Sequence, residues 1–582
     1  MRLAEALQIA GRKGGTLDRS VHLLTGFSPL HLETFLKAYL QLRFSNDSIR
    51  IHTGLYGDLE GNLERALEQP SEGSIIFLEW EDIDTRLGFR GSGGWTVAKI
   101  EDIALQVKAK LARLLTKIEA LTRTAPVVLV SPTLPLPLLV HSSPVLASKC
   151  EVLLNVHLGE FLAKVFLLPG IRLLSSLNLA QESPFQSRHD VNLELAVGFP
   201  YTIGHADTLA RLSVNSLFPG VPKKGLITDL DQTLWKGILG DVDVHGVSWS
   251  LNDKAQVHGL YQQLLDSLAE AGVLLAIASK NDPQPVSAAL LRTDLLLRAE
   301  TFYPVETGWG RKSDAVGRIL KAWNVGADSV VFVDDSPMEL SEVSERFPLI
   351  ECLQFQPSDP VEILALLKRL RELFGKEEVQ EEDRLRAASL RSVSKLQDEV
   401  VEAGSTEFIA RLNARVTFEP VDGNQKRAFE LVNKTNQFNL NGMRYTEAEW
   451  QTRLNRPGTF LTTVSYEDRF GQLGRIAVLG GYFEGGRCIV DIYVMSCRAF
   501  SRLIEFQILR QLFERSGAQS ILLRFKPTEK NGPMQTFLSQ LNLSGFTIRG
   551  EVELSAADFS AVCPMLNHEV IEQWTMQQSE RS

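Results

Sequence analysis

The amino-acid sequence predicts a multidomain α/β protein, and length, composition and hydrophobic period carry that expectation. The chain has 582 residues, enough for three or four domains at roughly 100–200 residues each. Its composition, 44% hydrophobic and 23% charged, is ordinary for a globular chain and excludes a disordered or rod-like one. Short β-branched runs alternate with stretches of helical period, the pattern of helices packed on partly parallel sheets.

Several function classes drop out at this level. A net charge of −10 provides no basic footprint for nucleic acid. Apolar runs such as Leu134–Val140 fall far short of the ~20 residues a membrane span needs. The stretch from Met1 to Gly15 lacks the continuous apolar segment of a secretory signal. The 5 cysteines, Cys150, Cys352, Cys488, Cys497 and Cys563, form no CxxC pair, which points to a reducing compartment and no zinc site. The expectation is a cytoplasmic protein with neither nucleic-acid nor membrane partners.

Elements follow in chain order. Residues 1–218 are expected to form a first α/β domain, with strands at Ser74–Trp80 and Val127–Ser131 and a helix over Val97–Ala120. Residues 222–370 read as a second α/β unit. Its strands are Gly225–Asp229, Val273–Ala278 and Val330–Val333. Val257, Leu260, Tyr261, Leu264 and Leu268 mark a helix that stops at Gly272, and Val316, Ile319, Leu320 and Trp323 mark another. The charged segment 371–414 reads as a helical connector. Residues 415–582 form a third, mixed unit. Arg475–Ser496 is a hairpin turning near Gly485-Gly486, followed by a helix over Ser501–Arg515, a strand at Ser520–Phe525 and a helix over Pro533–Leu541.

Chemistry concentrates after the first strand of the second unit, in Asp229-Leu230-Asp231-Gln232-Thr233-Leu234-Trp235. Residues i and i+2 of an extended chain point to one side, so the two carboxylates converge. In a parallel sheet they converge on the carboxyl-end crevice where ligands bind. Like charges there repel unless a cation or a proton intervenes, which suits a hard, oxygen-loving ion such as Mg²⁺. A bare DxD could equally be a helix cap beside a loop carboxylate. This one is followed by a strand ending in Ser279-Lys280-Asn281-Asp282, then Lys312, then a strand ending in Asp334-Asp335.

That order resembles the four-part signature of the haloacid dehalogenase (HAD) superfamily. The resemblance implies that Asp229 is a nucleophile accepting a phosphoryl group and Asp231 a general acid/base. Thr233, Ser279, Lys280, Asn281 and Lys312 would hold phosphoryl oxygens. Mg²⁺ would be held by Asp229, the backbone carbonyl of Asp231 and Asp335, with Asp334 a further ligand or a supporting group. The intervals from Thr233 to Lys254 and from Asp282 to Lys312 are too short for a cap domain, so the core resembles capless members. Another domain, or a macromolecular substrate, is expected to cover the site, with Arg498 nearby.

The wording of the motifs is closer to one family. DLDQTLWKGILGD, ASKND, GWGRKSDAV, VFVDDSPMEL, NKTNQFNLNGMRYTEAE and DIYVMSCRAFSR resemble FkbH-like proteins, HAD subfamily IIIC. The resemblance covers roughly Pro222 to Phe546. It implies transfer of the glyceryl group of 1,3-bisphosphoglycerate, with dephosphorylation, to the phosphopantetheine thiol of an acyl carrier protein in polyketide or related biosynthesis. Gln232, Lys236 and Ser336 depart from the family's usual Asn, Gly and Asn. None of the three removes a carboxylate. A plain phosphatase and a non-catalytic carrier-protein scaffold are the alternatives.

The flanking regions carry weaker likenesses. Residues 1–218 resemble SGNH hydrolases without their catalytic set: Ser28 lacks the Gly-Asp-Ser setting, and Asp207 follows His205. A structural or docking role is expected there. Gly88–Gly94 could cradle phosphate, but reads as a loop. The C-terminal unit resembles the GNAT acyltransferase fold. Its Arg498-Ala499-Phe500-Ser501-Arg502 has Ser501 where a glycine is expected, which puts ordinary CoA binding in doubt. Arg498 and Arg502 could still meet a phosphate. Cys497, before a helix start near arginines, could be an acidified nucleophile or a buried structural thiol. Asn436 and Asn439 could bind a glyceryl hydroxyl or order a turn.

Overall fold

Alternation over single residues sorts the central strands into two faces. Leu226, Leu275, Ile277, Val331 and Val333 enter one core cluster, whereas Ile227, Leu274, Ala276, Val330 and Phe332 enter another. A sheet buried on both faces needs helices on both, and the chain supplies them. The computed structural model describes residues 1–12, 15, 17–89, 99–136, 146–376, 379, 412–421, 426–469, 471–484, 487–496, 499–500, 502–541 and 550–573. Cys497, Arg498, Ser501, the Gly485-Gly486 turn and most of the 371–414 connector lie outside the described residues.

The chain divides into two compact units, one of residues 1–220 with 445–453, the other of 221–444 with 454–582. In the first, strands β1 (Asp18–Leu24), β2 (Ser48–Thr53), β3 (Ser74–Phe77), β4 (Val127–Val130) and β5 (Ile171–Leu173) form a parallel sheet ordered β2-β1-β3-β4-β5. The expected helix runs over Ile100–Thr122. The strand expected to reach Trp80 stops at Phe77, because a short helix begins at Trp80 and Asp82 accepts a hydrogen bond from the Glu79 amide at 3.0 Å. Residues 445–453, expected in the third domain, group with this first unit, where Arg172 pairs with Glu447.

In the second unit, β6 (Gly225–Thr228), β7 (Leu274–Ser279), β8 (Phe302–Thr307), β9 (Val330–Asp334) and β10 (Glu351–Gln354) pair in parallel in the order β10-β9-β6-β7-β8. The direction of winding reverses between β6 and β9, which opens a crevice at their carboxyl ends. Helix Gln256–Glu270 buries Tyr261, Leu265 and Leu268. Helix Pro360–Phe374 starts on Asp359, whose side chain accepts from Val361 N at 2.9 Å, and buries Ile363, Leu366, Leu370 and Phe374 on one face. The intervals open to a cap hold helix Leu239–Gly246 in one case and helix Pro283–Leu290 with β8 in the other. The core is capless.

The remaining strands, β11 (Arg415–Pro420), β12 (Phe438–Asn439), β13 (Thr459–Asp468), β14 (Gly471–Glu484), β15 (Arg487–Met495), β16 (Ser520–Phe525), β17 (Gly550–Ser555) and β18 (Glu569–Glu572), form a mixed sheet. Strands β13, β14 and β15 run as an antiparallel meander, and β15 pairs with β16 in parallel. Helix Ile504–Ser516 makes the crossover between them. The result is the expected α+β layout. Gln437 donates to Asn324 at 3.1 Å, and Lys530 pairs with Asp328 at 3.0 Å. Both contacts fall before β9, at the end of the central sheet opposite its crevice.

Gly225 shows how tightly the central sheet is covered. A Cβ there would stand 2.4 Å from the ring of Trp323, a fully buried indole whose Nε1 donates to the Tyr303 carbonyl at 2.6 Å. Gly225→Ala is expected to lower stability by about 1–3 kcal/mol. Denaturant unfolding checks this, and an unchanged midpoint would contradict the packing.

Candidate functional site

The site is built by strand ends. β6 delivers Asp229, whose amide donates to Val333 O at 3.0 Å, so its carboxylate lies beside the end of β9. β9 delivers Asp334 and Asp335. Carboxylate oxygens of Asp229, Asp334 and Asp335 all lie within 4.8 Å of one another. Lys312, the first residue of helix Lys312–Trp323, places Nζ 2.9 Å from Asp229 Oδ1 and 2.6 Å from Asp334 Oδ2. Lys312, Asp229 and Asp334 are all buried.

Charge and burial oppose one another here. Burial pushes the Asp229 carboxyl up, while Lys312 pulls it back. Asp334 is pushed up to about 7 by burial and then by the Asp229 charge. Asp335, half-buried, is raised for the same two reasons. Burial acts to lower the Lys312 ammonium, but Asp229 and Asp334 together hold it raised. Three converging carboxylates offset by one ammonium retain an excess of negative charge and offer hard oxygen donors. That donor set fits Mg²⁺.

Asp231 is fixed by other means. Its Oδ1 accepts from Trp235 Nε1 at 2.9 Å and from Leu239 N at 3.1 Å, and its Oδ2 accepts from Asn281 Nδ2 at 3.0 Å. The turn that allows this takes Gln232 to φ 55° and Gly237 to φ 110°. Asn281 also donates to Ser279 Oγ at 3.1 Å, which ties the end of β7 to the DxD turn. The expected Asp229, Asp231, Ser279, Asn281, Lys312, Asp334 and Asp335 are thus brought together. Trp235, named in the motif but given no role by the sequence reading, orients Asp231 through its indole N–H, a role that an ordinary core indole does not announce.

Other expected residues are placed differently. Lys280 donates to Glu339 at 2.6 Å, so its ammonium is committed to a neighbouring helix. Thr233 is fully buried, and among the described residues its Oγ1 has no hydrogen-bond partner. Arg502, expected near a phosphate, is buried and pairs with the buried Asp468 at 3.1 Å. It is part of the C-terminal core, because a guanidinium out of water requires a carboxylate. Glu505 stands in the first turn of the following helix, with its carboxyl pushed up to about 6 by burial. Its charge opposes an anion at that helix start. Asn439 accepts from Asn441 N and Gly442 N at 3.2 and 2.8 Å, which orders the turn.

In the first unit, His205 is sealed inside a polar chain. Ser183 Oγ lies 2.8 Å from His205 Nδ1, and Thr133 Oγ1 lies 3.0 Å from Nε2. Thr133 Oγ1 donates to Glu79 at 2.6 Å, and Tyr201 OH donates to it at 2.8 Å. With the Thr133 proton committed to Glu79, His205 donates from Nε2 and accepts at Nδ1. Burial, and then the Arg188 charge, lowers this imidazole to about 3. Asp207 accepts from Tyr39 OH at 2.7 Å. The Ser28 amide donates to Gly198 O at 2.9 Å. Among the described residues, the hydrogen bonds of Ser28, His205 and Asp207 do not join them in a hydrolase triad.

The sequence matches no protein-family profile and no curated protein. Among solved structures, the chain is similar to the N-terminal part of BF1531 from Bacteroides fragilis, described as containing a phosphatase domain complexed with Mg. The likeness has a TM-score of 0.51 at 19% identity and covers 65% of this chain and 100% of that one. At that identity it shows the fold alone. A GCN5-related glucosamine N-acetyltransferase region of a fungal GH3 β-N-acetylglucosaminidase aligns with a TM-score of 0.16 at 9% identity, over 92% of this chain and 66% of that one. That value is too low to support a shared fold. Among the described residues, no helix is long and apolar enough to cross a membrane.

Two outcomes follow from these charges. Lys312→Ala is expected to destabilise the second unit by about 3–5 kcal/mol in metal-free buffer, by stranding buried carboxylates. Adding Asp334→Asn should recover part of that loss, and strict additivity in denaturant unfolding would contradict the pairing. Burial raises Glu79 from an ordinary 4.5 up to about 7. A raised folded value gives stability that is complete below 4.5 and lost as pH rises through about 7. The Glu79 contribution, up to ~3 kcal/mol across that window, is opposed below about 6.5 by the lowered His205 imidazole, whose stability contribution rises with pH there. Denaturant unfolding of the wild type and Glu79→Gln across pH checks this: the difference between them should change by that amount between about 4.5 and 7, and a constant difference would contradict the assignment.

Proposed function

We propose that this protein is an Mg²⁺-dependent HAD-type phosphoryl-transfer enzyme that loads a glyceryl-type acyl group onto an acyl carrier protein. The observation that carries the reading is the buried cluster at one crevice, with Lys312 between Asp229 and Asp334 and Asp335 beside them. In this reading Asp229 is the nucleophile toward phosphorus. Asp231, held through both oxygens, would be the group that exchanges a proton with the leaving oxygen. Asp229, Asp334 and Asp335 would hold Mg²⁺, which supplies charge neutralisation for an anionic nucleophile meeting an anionic phosphoryl group. The magnesium in the BF1531 structure is in keeping with this.

The donor proposed is an acyl phosphate such as 1,3-bisphosphoglycerate. Two phosphates must leave it: one when the carrier thiol takes the acyl carbon, and one when the remaining phosphate ester is cleaved at Asp229. The GNAT-like third domain, with Cys497 as a candidate thiol, supplies the reason for an acyl transfer. A plain phosphatase acting on a phosphorylated metabolite is the second reading. It is favoured by Gln437–Asn324 and Lys530–Asp328, which join the third domain to the core at the end away from the crevice.

Intact-mass analysis of a holo carrier protein incubated with enzyme, Mg²⁺ and 1,3-bisphosphoglycerate separates the two. A glyceryl adduct is expected, lost in chelator and with Asp229→Asn. Phosphate release without an adduct would leave the phosphatase reading alone. An adduct that persists with Cys497→Ala would remove the covalent cysteine step.

A further inference from the structure

A capless site leaves the part of the substrate beyond the phosphoryl group without a wall, and one residue beside the crevice is placed to supply it. Trp309 is 74% exposed, unusual for the largest apolar side chain. Its position is set by strand register. β8 pairs with β7 so that Thr307 lies opposite Ser279, and Gly308 N donates to Ser279 O at 3.3 Å. Trp309 follows immediately, and Lys312, 2.9 Å from Asp229, comes three positions later. The indole is held by its polar edge, Nε1 donating to Asp282 Oδ1 at 3.0 Å. Asp282 in turn follows Asn281, which is bonded to Asp231.

The backbone on either side presents the ring instead of burying it. Gly308 takes φ 139°, a conformation that side chains rarely adopt. A Cβ built on Gly308 or Gly310 would meet nothing within 4 Å. Gly308 therefore serves chain shape, not close packing. Leaving an indole in water forfeits the burial of a large apolar surface, and the hydrogen bond to Asp282 fixes its orientation while its faces stay open.

Resting on the phosphoryl-transfer reading above, we infer that Trp309 is a substrate-positioning residue. Its face packs against a flat or extended apolar segment carried by the phosphate, and it does the work that a cap does elsewhere. The substrate class is a phosphate monoester whose organic part reaches past the crevice, as the arm of a carrier-bound phosphate ester would. A phosphate with a minimal organic part gains nothing from the ring.

Phenyl phosphate and acetyl phosphate test this on the full chain. Trp309→Ala should raise KM for phenyl phosphate about tenfold with kcat within about twofold, and leave KM for acetyl phosphate within about twofold. Trp309→Phe should restore most of the loss. Equal changes for both substrates, or none for either, would overturn the inference. If the wild-type protein turns over neither compound, the phosphoryl-transfer reading fails separately. The ring is then read by fluorescence: phenyl phosphate with Mg²⁺ should quench the wild type and not Trp309→Phe, and identical quenching of the two would overturn it.

Discussion

The Lys312 ammonium between Asp229 and Asp334 is the interaction on which the second unit depends. Carboxylates this deeply buried cannot all stay charged unaided, because desolvation and mutual repulsion both favour the protonated form. One cation 2.9 and 2.6 Å from two of them offsets much of that penalty. It also couples elements far apart in sequence. Asp229 follows β6, Asp334 ends β9, and Lys312 opens the helix between β8 and β9. Displacing any one exposes the others to an uncompensated buried charge.

The sheet order makes that convergence possible. With β6 central and the winding reversed between β6 and β9, the two acidic strand ends become neighbours, and β7 brings Ser279 and Asn281 from the other side. Helix packing on both faces then holds the strands in register, down to the seat that Gly225 leaves for the Trp323 ring. The same architecture explains why the crevice is open. Both intervals that could carry a cap are spent on a short helix, or on a helix and an edge strand.

Legibility in the sequence followed burial. Fully buried strands such as Val127–Val130 and Leu274–Ser279 stood out as continuous apolar runs. Strands β1, β2, β5 and β10 did not, since half-buried segments such as Ser48–Thr53 mix charged and apolar residues. The acidic cluster was legible because carboxylates at strand ends are rare without a purpose. Lys280 and Arg502 suggest an anionic ligand because each is a cation near a motif, whereas in the structure Glu339 and Asp468 pair with them. Partners brought by tertiary packing leave no local trace. The grouping of residues 445–453 with the first unit is a case of the same kind, settled by the distant Arg172.

The two units hold contrasting uses of buried charge. In the first, Glu79, Thr133, His205 and Ser183 satisfy one another in a closed chain. In the second, Asp229, Asp334 and Asp335 share a single ammonium and keep oxygen lone pairs for a further cation. The proposed function stands or falls on whether Asp229 itself accepts the phosphoryl group. Rapid acid quench during turnover of a phosphate monoester with Mg²⁺, followed by peptide mass analysis, is the decisive measurement. One added phosphoryl group on the peptide bearing Asp229 is expected. Phosphate release with that peptide unmodified at every time point would contradict it.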